Sequence, residues 1–172
     1  YVFYHRQTNR HQFSRQACAE PIFIESDGSI KQAEITSCGL NGGPLAGKGE
    51  YEARIACNLR SKEGVAFFTN FNMPDTDIHP YFTQDGPDRE SDGNQYIANL
   101  RDGSLAGFKY FNFQGASKIS VNIRGNAQGT VFVSTTVDGE PAATVEIRAE
   151  AGWKEFSAPL SIENGVHPLF FT

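Results

Sequence analysis

Apolar residues in this chain come in short runs separated by glycine, asparagine and aspartate, and no window of helical length keeps a clean 3.6-residue period. From residue 79 onward the runs are regular, at 81–84, 95–100, 105–113, 118–124, 130–137, 142–148, 153–158 and 167–171. Asp102-Gly103, Gly115, Gly125 and Asp138-Gly139 punctuate them as hairpin or loop signals. Short strands with turns roughly every 8–12 residues predict an all-β fold of the β-sandwich or jelly-roll kind.

The earlier part of the chain is less regular. Residues 1–5 alternate as a strand does, a polar turn follows at Thr8-Asn9-Arg10, and 12–19 and 21–24 read as further strands. Asp27-Gly28 marks a turn into 30–36. Between Cys38 and Gly49 five glycines and a proline rule out a regular element and predict a long loop or crossing segment. Residues 51–59 read as a strand or a short helix, 65–71 is apolar, and Met73-Pro74-Asp75-Thr76-Asp77 is a second break. The chain thus divides into 1–37, a Gly-rich connector at 38–77 and a sandwich at 78–172.

Composition narrows the partners. In 172 residues there are 14 Phe and 6 Tyr but a single Met, which favours β structure over helix. The net charge of −5, with no clustered Lys/Arg footprint, argues against nucleic acid. No stretch reads as a signal peptide or a membrane span, and both ends stop within strand-like runs, as though cut. Cys18, Cys38 and Cys57 lack CxxC spacing, so zinc is not expected; one disulfide with a leftover thiol and three free thiols both remain open. The glycines of 38–49 form neither GxGxxG nor GK[ST], which removes a phosphate cradle.

The order of motifs carries a resemblance. Gln95-Tyr96-Ile97-Ala98-Asn99-Leu100-Arg101-Asp102-Gly103, Phe108-Lys109-Tyr110-Phe111, Lys118 through Gly125, Val137-Asp138-Gly139, Gly152-Trp153 and Gly165-Val166-His167-Pro168-Leu169 together resemble carbohydrate-binding module family 6. Phe3-Tyr4-His5-Arg6, Phe13 through Pro21 and Cys38-Gly39-Leu40-Asn41-Gly42-Gly43-Pro44 are similar to the end of the five-bladed propeller of glycoside hydrolase family 43 and its connector. The resemblance implies the C-terminal part of a secreted bacterial arabinofuranosidase or β-xylosidase acting on plant xylan. It also implies partners: xylan or arabinoxylan, and the remainder of the propeller. Such enzymes invert, using two carboxylates roughly 6.5–9.5 Å apart, and nothing in this chain matches the motifs that carry them. Asp85-Gly86-Pro87 reads as turn chemistry, and Glu20 before Pro21 reads as structural.

A pyranose has one face of C–H bonds and a rim of hydroxyls, so it needs an aromatic plane and a few polar groups. By resemblance Trp153 and Tyr96 would flank the sugar, while Asn94, Gln95 and Asn99 lie near enough in sequence to serve its rim. Strand alternation forbids all of them from doing so. The blander reading of both aromatics is core packing. Phe108 and Tyr110 are expected on one face of their strand, with Phe111 and Phe113 on the other. His5 matches a histidine that points at the propeller axis. The family's closing strand would follow Thr172 and is missing, which predicts an exposed sheet edge. Its structural calcium is doubtful here, because 81–85 carries few acidic ligands. The competing function is a non-binding sandwich that caps and stabilises the propeller, with Trp153 buried.

Overall fold

The computed structural model describes residues 1–11, 13–66, 77–86 and 94–172. The apolar run at 65–71, the break at 73–77 and Pro87 lie wholly or partly outside the described residues.

Alternating side chains at the start of the chain form a hairpin, β1 (Val2–Gln7) against β2 (Arg15–Glu20), in a register that pairs Val2 with Glu20 and Gln7 with Arg15. β2 starts later than the expected 12–19, because Thr8 and Ser14 close the turn through His11, with Asn9 and Arg10 at positive φ. The strands expected at 21–24 and 30–36 do not form. Among the described residues that segment holds only the bridge between Ile24 and Ile30 around the Asp27-Gly28 turn, because its extended backbone has no neighbouring strand to pair with.

The glycine-rich stretch is not a free connector. It contains a 3₁₀ turn at Gly39–Asn41 and β3 (Leu45–Ala46), which pairs in parallel with β7 (Leu105–Phe113). A second 3₁₀ turn, Ala53–Ile55, leads into β4 (Asn58–Arg60), which pairs antiparallel with β7. Hydrogen bonding therefore crosses the division expected at 77/78. Gly47 makes this approach feasible: a Cβ there would lie 2.6 Å from the Asn112 carbonyl oxygen and the Phe113 Cα.

After a small hairpin of β5 (Tyr81–Thr83) and β6 (Tyr96–Ala98), the regular runs form β8 (Lys118–Gly125), β9 (Gly129–Ser134), β10 (Ala143–Ile147), β11 (Glu150–Pro159) and β12 (Gly165–Phe171). The larger sheet has the order β10-β9-β12-β7-β3, with β4 also on β7, and β8 pairs with β11 as the opposing layer. Phe111, Phe113, Val133, Ala143, Val145, Leu160 and Leu169 fill the space between, and Ile119, Val121, Phe156 and Ala158 close it from the β8–β11 side. The chain is an all-β sandwich.

β12 lies inside its sheet, bonded to β7 on one side and β9 on the other, whereas among the described residues β8 and β11 pair only with each other, so open edges lie in that layer and not at the last residues. One expectation changes with the β7–β12 register. Phe108 joins the core of Phe111 and Phe113 instead of facing away with Tyr110. The cause is a bulge: His167 pairs with Phe111 but Leu169 with Phe108, so two residues of β7 oppose Pro168 and the alternation shifts by one.

Candidate functional site

A second bulge builds the most distinctive surface. Gly125 pairs with Glu150 and Ile123 with Lys154, so Ala151, Gly152 and Trp153 of β11 all stand opposite Arg124 of β8. The extra residues release Trp153 from strict alternation and aim it outward beside Arg124, where it remains 46% exposed. It is therefore not a core residue.

β6 brings Tyr96 to the same place. Its ring meets the Trp153 ring edge to face, with centroids 5.1 Å apart and an interplanar angle of 75°. The expected pair of aromatics is thus adjacent, but the rings touch and form a corner, so no sugar ring enters between them. The open surface is that of Trp153.

Arg124 lies over both rings, its guanidinium carbon 4.9 Å from the Tyr96 centroid and 4.7 Å from that of Trp153. Its Nη2 donates to Asp85 Oδ1 at 2.5 Å and to the Tyr96 hydroxyl at 2.7 Å, and that hydroxyl donates to Asp85 Oδ1 at 3.0 Å. The hydrogen bond from Arg124 holds the Asp85 carboxyl below its ordinary range and raises the guanidinium in turn. Burial, and then the bond to Asp85, raises the Tyr96 hydroxyl. Asp85 follows β5 in the turn of Asp85-Gly86, so the residue that reads as turn chemistry also anchors this cluster. Arg124 escapes a reading of the sequence because only the pairing of β8 with the bulged β11 carries it to the aromatics.

The remaining expected residues divide. Asn94 reaches the edge of the cluster, its Nδ2 donating to the Asp85 carbonyl at 2.9 Å. Gln95 continues the opposite face of β6; its Nε2 donates to Gln84 Oε1 at 3.2 Å, and its own Oε1 is buried without a partner. Asn99 closes the far end of β6, donating to the His79 carbonyl at 3.0 Å and accepting from Arg101 Nε at 3.0 Å. None of these described hydrogen bonds of Gln95 and Asn99 goes to the aromatic corner. His5 is exposed on β1, opposite Ala17 and away from the sandwich.

Glu20 is 2% exposed and accepts from the Thr36 amide at 2.8 Å, the Thr36 hydroxyl at 2.7 Å and the Tyr4 hydroxyl at 3.4 Å. These bonds use both of its oxygens for structure. The three cysteines are free thiols. Among the described residues no group of three or more His, Cys, Asp or Glu side chains gathers to hold a metal ion. A separate depression of about 180 Å³, lined by Asn58, Arg60, Lys109, Val137 and Phe170 among others, contains none of the cluster's residues.

No protein-family model matches the chain. Over all 172 residues it is 43% identical to a protein of Thermoclostridium stercorarium named xylosidase/arabinosidase, and it spans 36% of that protein's length. Among solved structures it is similar to a glycoside hydrolase family 43 arabinoxylan arabinofuranohydrolase from Bacillus subtilis, determined in complex with cellotetraose. That similarity has a TM-score of 0.51 at 18% identity and covers 92% of this chain and 30% of the other. It is a likeness of fold.

Proposed function

We propose that the chain is the C-terminal portion of a xylan-degrading glycoside hydrolase of family 43, and that its sandwich binds the polysaccharide on the Trp153–Tyr96 corner. One observation carries the binding role: the lone tryptophan is held half-exposed by a bulge beside a tyrosine and an ion pair. A fold needs no such arrangement, whereas a sugar needs both an apolar plane and polar groups at its rim. The identity to a xylosidase/arabinosidase supports the assignment to a xylan-degrading enzyme, and the arabinofuranohydrolase of similar fold supports its placement in family 43. A polymeric plant-wall substrate supports the reading that the protein works outside the cell.

Catalysis belongs to residues outside this chain. Glu20 is engaged in structural hydrogen bonds and Asp85 in an ion pair, so neither is a free acid or base. The isolated chain is expected to leave aryl arabinofuranosides and xylosides intact; turnover above a buffer control would contradict this assignment.

The test of binding is native electrophoresis through gels with and without soluble arabinoxylan, using the parent and Trp153→Ala. A shallow site with one or two stacked sugars predicts a Kd of roughly 10 µM to 1 mM. The parent should be retarded and the variant should run freely. Equal mobility in every lane would favour the alternative, in which the sandwich serves only to stabilise the hydrolase.

A further inference from the structure

We propose that Asp85 and Arg124 are the hydroxyl-reading half of this site, and that the pair selects a neutral pyranose with two adjacent free hydroxyls over one bearing a uronate. The inference rests on the Trp153–Tyr96 corner being a sugar platform and names the class of sugar it takes.

The argument begins with unused hydrogen-bonding capacity. A guanidinium has five N–H donors and a carboxylate about four acceptor positions. Arg124 spends Nη2 on Asp85 and Tyr96, and Asp85 accepts through Oδ1. Among the described residues no hydrogen bond uses Arg124 Nε or Nη1, or Asp85 Oδ2. The two side chains remain 31% and 47% exposed, so these atoms are within reach of a ligand. A donor edge beside an acceptor oxygen, next to an aromatic face, matches two neighbouring hydroxyls. Each hydroxyl both donates and accepts.

Charge then decides between sugars. An unpaired guanidinium in a cleft would select an anion, because bidentate pairing with carboxylate is its strongest interaction. Asp85 cancels that charge. A uronate would also bring its own carboxylate against the ionised Asp85, a like-charge contact that disfavours binding. The two rings meanwhile fix the guanidinium plane, so the pair is ordered before any ligand arrives.

The experiment titrates the full chain with a neutral linear xylo-oligosaccharide and with the same oligomer carrying one glucuronic acid branch, following Trp153 fluorescence or ligand NMR. The parent should bind the neutral oligomer about tenfold more tightly or better, as expected for loss of hydrogen bonds to charged groups. Arg124→Met should weaken the neutral oligomer by about tenfold or more. Asp85→Asn, which keeps size and shape, should narrow or reverse the preference between the two ligands. A thermal melt of each variant checks the fold, and if Arg124→Met unfolds, the ligand preference of Asp85→Asn decides alone. Parent affinity and parent preference in both variants, with binding lost only in Trp153→Ala, would leave the platform standing and overturn the role of the pair. A parent that binds neither oligomer would overturn both readings.

Discussion

A half-buried arginine joins three separate segments of this fold. Arg6 alternates inward from β1, lays its guanidinium 3.8 Å from the centre of the Phe82 ring, and donates to the carbonyls of Arg54 and Ala56 and to Gln16 Oε1 at 2.9 Å. One side chain therefore ties the N-terminal hairpin to the 3₁₀ turn at Ala53–Ile55 and to β5. Burial lowers its pKa, but a guanidinium stays charged at any ordinary pH. Replacing it with methionine keeps much of the apolar contact and strands two carbonyls and an amide oxygen. We expect Arg6→Met to cost about 2–4 kcal/mol, read as a lower urea midpoint, since each buried acceptor left alone costs about 1–3 kcal/mol. A change below about 0.5 kcal/mol, the ordinary range for surface substitutions, would mean that the hairpin docks by other contacts. The residue scale is also where the sequence was least informative about the site. Trp153 and Tyr96 were legible as candidates through the resemblance that the ordered motifs around them carry, since aromatics stand out in a linear reading. Arg124 and Asp85 were not, since 39 residues separate them and only the folded pairing joins them.

At the scale of elements, close approach to β7 sets the sheet. Phe170 of β12 pairs with Gly107 of β7, which pairs in turn with Asn58 of β4, so the Phe170 ring lies across a strand that has no side chain beneath it. A Cβ on Gly107 would stand 2.9 Å from the ring carbons Cδ1 and Cε1 of Phe170 and 3.0 Å from Cβ of Asn58. Gly107→Ala should therefore destabilise by about 1–3 kcal/mol, the range for inserting a methyl group into a packed site. Combining it with Phe170→Leu should recover part of that cost, and strict additivity in a double-mutant cycle would show that the ring is not the obstacle. This contact explains what was legible in the fold. The strands from 105 to 171 follow their hydrophobic runs closely, because each buries one face and the alternation is visible locally. The extended runs at 21–24 and 30–36 have similar composition but no neighbouring strand, and sequence alone does not report a missing neighbour. β3 was hidden for the opposite reason: a short segment among glycines with weak patterning becomes a strand because β7 offers it an unpaired edge. The run at 51–59, legible only as strand or short helix, resolves into the 3₁₀ turn at Ala53–Ile55 and the start of β4, which takes the same side of β7.

For the molecule as a whole, the direction of each perturbed titration predicts where stability is lost with pH. Hydrogen bonds from Arg124, Lys109, Lys154 and Ser120 depress the carboxyls of Asp85, Glu34, Glu150 and Glu155 respectively below their ordinary values of 3.8 for Asp and 4.5 for Glu. Groups depressed in the folded state contribute stability that is complete above those ordinary values and is lost as pH falls through the lower, folded ones. Asp85, Glu34 and Glu155 are exposed and Glu150 is half-buried at the surface, so salt screens these pairs, and the acid decline should be gradual and should shrink as ionic strength rises. At the alkaline end Tyr4 is displaced furthest, and Tyr96, Tyr110, Cys18 and Cys57 are raised in the same direction. Burial, reinforced by the nearby Cys18 and Glu20, pushes its hydroxyl from 10.0 up to about 12. The unfolded chain then releases this proton near pH 10 while the folded chain keeps it, so stability falls as pH rises from 10 toward 12. Tyr4→Phe removes the proton from both states and should make that limb shallower while leaving the acid limb unchanged. Urea midpoints of the parent and the variant at pH 7, 10 and 11 would decide it: parallel declines above pH 10 would mean that the other raised groups govern the alkaline loss, and a shallower decline in the variant would assign the difference to Tyr4 beneath the N-terminal hairpin.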